Sequence, residues 1–121
     1  MDAKQTVLDF IAAWNARDLN RIADGLAEDV IYHNIPVNPL RGREAVRAAV
    51  GPLVGSCSSI DWEVHHIAGG EGGVVLTERT DRFIREGKAL SIRVMGTFEV
   101  RDGMIVAWRD YFDMAEWQRQ L

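Results

Sequence analysis

Cysteine is nearly absent from this sequence, since Cys57 is the one thiol among 121 residues. A single thiol cannot form a disulfide within the chain, and such sparse use of cysteine is typical of a reducing compartment. We expect Cys57 to be a small buried or half-buried residue and not a nucleophile.

Long apolar runs are missing as well. No stretch approaches the length that is needed to span a bilayer, so a membrane segment is not expected. The N-terminal stretch MDAKQTVLDFIAAWNARD carries charges at Asp2, Lys4 and Asp9 and has no continuous apolar core, unlike a signal peptide. We therefore expect a cytoplasmic protein.

Basic residues are in the minority, with 14 Lys and Arg against 18 Asp and Glu and a formal net charge of -4. They are scattered and form no basic cluster, so nucleic acid is not an expected partner. The hydrophobic fraction of 47% and the charged fraction of 26% are those of an ordinary globular protein. Because no repeat or linker interrupts the chain, residues 1–121 are predicted to form one domain around a single core.

The sequence also lacks the usual motifs of metal, phosphate and nucleophilic chemistry. His65 and His66 are adjacent on a predicted strand and so are expected to face opposite ways, and His33 points away from its polar neighbours. The glycines match no phosphate-binding spacing, and no serine or cysteine lies in a nucleophile motif. We therefore expect no metal, no cofactor and no covalent acyl transfer.

Helices are predicted in the first half of the chain and at its end. Apolar residues spaced i, i+3, i+4 and i+7, with Asp2 as N-cap, predict a first helix. The apolar positions are Val7, Phe10, Ile11 and Trp14. A short second helix is predicted after Asp18 and a short closing helix after Asp113. A third helix is predicted over about residues 43–50, where the Gly-Pro pair that follows ends it.

Strands are predicted mainly in the second half. An extended segment, AEDVIYHNIP, follows the second helix, and four strand-like runs follow the third: SIDWEVHHI, GVVLTERTDRFI, LSIRVMGTFEV and MIVAWRDYF. The connections AGGEGG, REGKA and RDG are credible hairpins, which predicts an antiparallel meander. Helices followed by a contiguous sheet indicate an α+β fold with helices on one face of a curved sheet, and a cone with a pocket is one natural outcome.

One carboxylate lies where the last strand should present an apolar side chain. A period of two places Met104, Val106, Trp108 and Phe112 on one face, and Asp110 falls on that same face. A carboxylate among apolar groups must be paired, protonated or functional.

Two polar pairs share the inner faces of other strands and complete a candidate site. Alternation places Arg79 and Asp81 on one face, and Tyr32 and Asn34 on one face of the extended segment. If these four residues and Asp110 meet in one cavity, two carboxylates share one guanidinium, so one carboxyl is expected to keep its proton. The result is an acid and a base in one site, with a hydroxyl and an amide able to hold a water molecule.

Each of these residues has a simpler interpretation. Arg79 with Asp81 is often a surface ion pair, and Asp110 can cap the closing helix, although Asp113 is better placed. Tyr32 is by default a core residue with a hydrated hydroxyl, and Asn34 before Ile-Pro is by default a turn former.

The ordered motifs IYHN, TERTD and WRDYFD, together with RGREAV and a GK turn, resemble those of the limonene-1,2-epoxide hydrolase family. This family belongs to the wider group of NTF2-like and SnoaL-like domains, and the resemblance runs along nearly the whole chain. It implies an NTF2-like (cystatin-like) cone, in which N-terminal helices and a curved mixed or antiparallel sheet enclose a deep apolar pocket.

The resemblance also implies a reaction, the one-step and metal-free opening of an epoxide by water to a vicinal diol. Asp110 is then the general base, and Tyr32 and Asn34 position the water with it. Asp81 protonates the epoxide oxygen, and Arg79 bridges the two aspartates. This division of roles agrees with the acid and base inferred above from charge alone.

The implied substrate is a small apolar epoxide, terpene-like or derived from a cycloalkene. Its expected pocket residues are Trp14, Phe83, Ile92, Val94, Phe112 and Trp117. For Ile92 and Val94 a plain core position is an equally good interpretation. A homodimer through the outer face of the sheet is implied by the family as well.

Two other classes of function remain open from the sequence. The same cone supports isomerases and cyclases in which an aspartate such as Asp110 takes a proton next to a carbonyl, with Tyr32 at the oxyanion. Arg79 argues against this, because a cation beside the two acids suits separate acid and base roles better. The second alternative is a non-catalytic module that binds an apolar ligand, but it gives the pair of acidic residues no function.

Overall fold

The structure, a computed structural model, describes residues 2–121. Its helices are α1 (Ala3–Asn15), α2 (Leu19–Asp24), α3 (Arg43–Ser56) and α4 (Met114–Gln118). Its strands are β1 (Leu26–Asn34), β2 (Leu40–Arg41), β3 (Cys57–Gly69), β4 (Val74–Arg85), β5 (Lys88–Arg101) and β6 (Met104–Tyr111), with a 3-10 turn at Glu71–Gly73 before β4. No helix within the described residues is both long and apolar enough to cross a membrane.

Side-chain caps begin the first and last helices as predicted. The Asp2 carboxylate accepts a hydrogen bond from the backbone N–H of Gln5 at 2.8 Å, and Asp113 accepts one from the backbone N–H of Ala115 at 2.9 Å. Each cap satisfies a backbone donor that has no partner inside the helix. The caps therefore set where α1 and α4 begin.

The six strands form one mixed sheet in the order β2-β1-β6-β5-β4-β3. Strands β3 to β6 are the predicted antiparallel meander. Strand β1 then runs parallel to β6, a pairing that places Tyr32 beside Trp108 and Asn34 beside Asp110. This parallel pairing joins the polar residues of the first extended segment to those of the last strand.

Two hairpins of the meander close with two-residue turns. Glu86 and Gly87 have φ angles of 53° and 75°, and Asp102 and Gly103 have the same two values. Two consecutive positive φ angles define the turn type whose twist matches that of the paired strands. These turns fix the registers of β4 with β5 and of β5 with β6, on which the site depends.

The predicted end of the third helix is wrong, because α3 continues through the Gly-Pro pair to Ser56. Val46, Val50 and Val54 recur every four residues and are all buried, so the apolar stripe continues past the proline. Pro52 removes one backbone hydrogen bond from the helix, but it lies on the exposed side, where water can satisfy the carbonyl group. Burial of the stripe outweighs the missing bond.

The alternation predicted for the last strand is partly wrong, because β6 contains a bulge at Val106, which has no register partner on β5. The extra residue turns Ile105 inward, where it is completely buried, while Met104 and Val106 do not belong to the buried face. After the bulge, the predicted alternation of buried and exposed residues is right, since Trp108 and Asp110 are both buried.

A second bulge, in β3 at His65, corrects the prediction for the adjacent histidines. His65 and His66 are both exposed on the outer face, where their rings lie 2.8 Å from the Thr80 hydroxyl and 2.8 Å from a Glu78 carboxylate oxygen. A bulge turns two consecutive side chains to one face, which strict alternation forbids. Within residues 2–121, no three His, Cys, Asp or Glu side chains are grouped to hold a metal ion.

The core lies between the inner face of the sheet and the first three helices, and Cys57 is part of it. Aromatic rings fill its centre: Trp14 stacks on Trp62 with ring centroids 4.6 Å apart, and Phe10 meets Trp108 edge to face at 5.1 Å. Large rings bury much apolar area for little loss of side-chain entropy. A cavity borders this core beside the polar residues.

Candidate active site

Arg79 is the centre of the candidate site, and its side chain is fully buried between two carboxylates. Its Nε and Nη2 each donate a hydrogen bond of 2.9 Å to the two oxygens of Asp81. Its Nη1 and Nη2 donate to the two oxygens of Asp110 at 3.3 and 3.1 Å. The structure thus brings together the three charged residues that the sequence singled out.

Neighbouring side chains hold the guanidinium in this place. The ring of Trp62 lies 4.5 Å from the Arg79 Cζ atom, which is the distance of a cation–π contact. On Nη1, the Thr77 hydroxyl accepts a hydrogen bond of 3.0 Å. Thr77 and Trp62 were not predicted as site residues, although the alternation in β4 places Thr77 on the inner face together with Arg79 and Asp81.

The charges of the site do not balance unless one carboxyl is protonated. Burial raises the pKa of Asp81, hydrogen bonds and attraction from Arg79 offset part of that rise, and the charge of Asp110 adds to it, giving a pKa of about 6. Burial alone would lower the pKa of Arg79, but the two carboxylates outweigh burial and raise it. Near neutral pH the site therefore holds a permanent cation and a carboxyl group that readily carries a proton.

Tyr32 and Asn34 form the second polar pair, at the edge of the same cavity. The Tyr32 hydroxyl donates to the side-chain oxygen of Asn34 at 2.8 Å, and the Tyr32 ring stacks on Trp108 with centroids 3.8 Å apart. Burial, followed by the charge of Asp110, raises the pKa of Tyr32 far above its usual range. The phenol therefore keeps its proton, and its oxygen retains lone pairs for a further donor such as water.

A cavity of about 360 Å³ opens beside these groups and has mostly apolar walls. Of the predicted residues, Trp14, Tyr32, Asn34, Asp81, Phe83, Ile92, Asp110, Phe112 and Trp117 line it. Val94 does not line it, contrary to prediction. Val94 pairs with the buried Arg79 in the register of β4 and β5 and lies in the core, where it is 4% exposed.

Several wall residues were missed by the sequence-based argument. They are Val37, Leu40, Ala49, Val50, Leu53, Trp62 and Met114. Leu53 belongs to the part of α3 beyond its predicted end, Leu40 is the first residue of the two-residue strand β2, and Val37 lies in the loop before that strand. Periodicity indicates which face of a helix is apolar, but it does not indicate which apolar face borders an open space.

The sequence of this chain is similar to those of known proteins. The model of the limonene-1,2-epoxide hydrolase catalytic domain matches residues 1–121. This chain belongs to the limonene-1,2-epoxide hydrolase family. Epoxide hydrolase EphG of Mycobacterium tuberculosis, a protein to which it is similar, is 34% identical over 105 residues, which are 87% of this chain and 69% of that protein.

Solved structures agree with membership of the limonene-1,2-epoxide hydrolase family. The structure of an M. tuberculosis LEH-like epoxide hydrolase has a TM-score of 0.87 and 31% identity, and the match covers 98% of this chain and 88% of that one. A putative SnoaL-like polyketide cyclase from Shewanella denitrificans also reaches 0.87, at 14% identity, over 98% and 95% of the two chains. At that identity the likeness shows the fold alone. The predicted α+β cone of the NTF2-like and SnoaL-like type is confirmed.

Proposed function

We propose that this protein is an epoxide hydrolase that adds water to a small apolar epoxide in one step, without a metal ion and without a covalent enzyme intermediate. The observation that carries the proposal is the position of Arg79, which bridges two buried carboxylates at the polar end of an apolar cavity. This arrangement provides a base and an acid, separated by a fixed cation.

Asp110 is the general base in this proposal. It lines the cavity, and its register neighbour Asn34 lies directly beside it on β1. A water molecule held by Asp110, Asn34 and the Tyr32 hydroxyl has both protons and a lone pair engaged, so its remaining lone pair faces the substrate. As the water oxygen bonds to a ring carbon, one of its protons passes to Asp110.

Asp81 is the general acid. Each of its oxygens already accepts an N–H from Arg79, so a proton on Asp81 occupies a remaining lone pair, and the residue borders the cavity. That proton passes to the epoxide oxygen as the ring C–O bond breaks. The diol leaves Asp110 protonated and Asp81 ionised, and transfer of one proton from Asp110 to Asp81 restores the starting state.

The cavity supports a terpene-like or cycloalkene epoxide as the substrate class. A space of about 360 Å³ lined by Trp14, Phe83, Ile92 and Phe112 accepts a hydrocarbon of about the size of a monoterpene and offers polar groups only where the ring opens. Burial of the hydrocarbon would also exclude water other than the nucleophile.

The test is single-turnover hydrolysis of limonene oxide, cyclohexene oxide and styrene oxide in H2 18O, with enzyme in excess. Direct attack by water places the label in the diol in the first turnover, and cyclohexene oxide gives the trans diol. Unlabelled first-turnover diol would instead indicate a covalent ester with an aspartate. Absence of diol, combined with deuterium exchange into a steroid or polyketide ketone, would overturn the proposal in favour of an isomerase.

The pH dependence follows from the raised pKa of Asp81. The protonated acid predominates below pH 6 and is lost above it, because the pKa of this carboxyl is about 6 in the folded enzyme. We expect kcat/KM to fall with rising pH above about 6, approaching tenfold per pH unit, since kcat/KM reports groups of the free enzyme. The measurement is kcat/KM across about pH 5 to 9, with the residual activity of Asp81→Asn as control. A profile that stays flat through this range would rule out Asp81 as the acid.

A further inference from the structure

Gly96 lies in the interior of a strand, where glycine is normally destabilising because it has no side chain to pack. It lies within β5, with Thr77 as its register partner on β4 and Asp110 as its partner on β6. Its backbone is not among those with positive φ, so the conformation does not require glycine. A glycine in the middle of a strand often marks a place where another group must approach the backbone closely.

The groups that approach Gly96 belong to the site. A Cβ atom at this position would overlap Nη1 of Arg79 and would lie 2.6 Å from Oδ1 of Asp110 and 3.0 Å from Oγ1 of Thr77. The guanidinium is held in its place by hydrogen bonds to Asp81 and Thr77 and by the Trp62 ring, whose centroid lies 4.5 Å from the Cζ atom. Only glycine therefore leaves room for the contact between Arg79 and Asp110.

Thr77 acts on the same nitrogen from the side of β4. Its hydroxyl donates to the carbonyl oxygen of Gly96 at 3.1 Å and accepts from Nη1 of Arg79 at 3.0 Å. Since the hydroxyl proton is used on Gly96, the oxygen is fixed as an acceptor for the arginine. All three nitrogens of the guanidinium then have protein partners.

We propose that Gly96 and Thr77 are positioning residues, which set the distance and the angle between the Arg79 guanidinium and the Asp110 carboxylate. This inference rests on the proposed function, because it assigns the two residues to the orientation of the base. Neither residue borders the cavity, so neither is expected to contact substrate.

The test compares kcat and KM of Gly96→Ala and Thr77→Val with those of the wild type. We expect kcat to fall about 10²-fold in Gly96→Ala and about tenfold in Thr77→Val, since small displacements of catalytic groups have effects of this size. KM should stay within about threefold, because the apolar walls are unchanged. Thr77→Ser keeps the hydroxyl and should restore kcat to within about twofold of the wild type.

Gly69→Ala is the matched control, since Gly69 also lies on a strand but a Cβ there meets only the flexible side chain of Lys4. It should leave kcat unchanged. The side-chain N–H signals of Arg79 in 15N-labelled protein provide a readout that does not depend on turnover. They should shift in Gly96→Ala and Thr77→Val and not in Gly69→Ala.

The proposal would be overturned if Gly96→Ala and Thr77→Val kept the kcat of the wild type. It would also be overturned if kcat fell while the Arg79 signals did not shift. If Gly96→Ala does not fold, the pair Thr77→Val and Thr77→Ser decides it, and equal kcat in the two would contradict it. If the wild type opens no epoxide, the proposed function fails, while the Arg79 signals still show whether the two residues position the guanidinium.

Discussion

Asp110→Asn is expected to lose diol formation by about 10⁴-fold or more, because it removes the base and impairs the acid at the same time. An amide cannot take a proton from water. In addition, the charge of Asp110 is one of the causes that raise the pKa of Asp81, so its removal lowers that pKa and reduces the fraction of Asp81 that is protonated at neutral pH. A single substitution therefore affects both proton transfers.

The fold should survive this substitution. Asn and Asp have nearly the same shape, and the change removes one negative charge from a buried site in which two carboxylates share one guanidinium. We expect thermal stability near that of the wild type or slightly above it, since an uncompensated buried charge is costly. Loss of activity would then reflect chemistry and not unfolding.

The measurements are single-turnover diol formation and a 13C NMR titration of the Asp81 carboxyl. Asp113→Asn is the matched control, because Asp113 caps α4 and does not line the cavity, although it lies between the wall residues Phe112 and Met114, and asparagine caps as well as aspartate does. It should retain full activity. Turnover that survives in Asp110→Asn would remove Asp110 as the base, and an unchanged Asp81 titration would show that the two carboxyls are not coupled.

The placement of Arg79 with Asp81 was predictable because both residues lie on β4, a strand of regular alternation. In β4 every second residue is buried across Thr77, Arg79 and Asp81, so a period of two places the arginine and the aspartate on one face. Charged residues at core positions then imply pairing. The contact with Asp110 is the step that alternation alone does not supply, because it depends on which strands are neighbours.

The bulges show where such arguments fail. Asp110 was predicted to face inward together with Met104 and Val106, yet Met104 precedes the bulge in β6 and Val106 forms it, and Ile105 is buried instead. The prediction for Asp110 was right because Trp108 and Asp110 follow the bulge. A bulge depends on the twist and pairing of two strands, and a single strand carries little sign of it.

The shape of the cavity was the least predictable feature. The Gly-Pro pair suggested an early end to α3, whereas packing of its valine stripe carries the helix on to residue 56 and brings Leu53 to the cavity wall. The parallel pairing of β1 with β6 links residues far apart in sequence. Both outcomes depend on tertiary packing, which overrides local propensity.

Arg79→Met is expected to destabilise the protein more than any other single change in the site. The variant keeps the volume of the side chain but leaves Asp81 and Asp110 buried together without a cation. Breaking a buried ion pair in this way typically costs about 3–5 kcal/mol, because the remaining charge is uncompensated. Activity should be lost as well, since neither carboxyl is oriented.

The loss of stability in Arg79→Met should depend on pH in a defined direction. Without the cation, nothing offsets the burial that raises the pKa of Asp81, so the folded variant holds this proton to higher pH than the wild type does, whereas the unfolded chain releases it above the ordinary aspartate pKa of about 3.9. The folded state then binds more protons than the unfolded state, so the free energy of unfolding falls as the pH rises. The wild type, with one raised pKa of about 6 at Asp81, should show a shallower fall over the same range.

Urea unfolding followed by tryptophan fluorescence at about pH 4 to 7 measures both effects. The decisive control is the triple variant with Arg79→Met, Asp81→Asn and Asp110→Asn, which removes all three charges and should recover most of the lost stability without any activity. Recovery separates the role of Arg79 as a counter-charge from its role in packing against Trp62. If the triple variant is as unstable as Arg79→Met, the arginine stabilises the protein through packing. The two carboxylates then do not need its charge in order to stay buried next to each other.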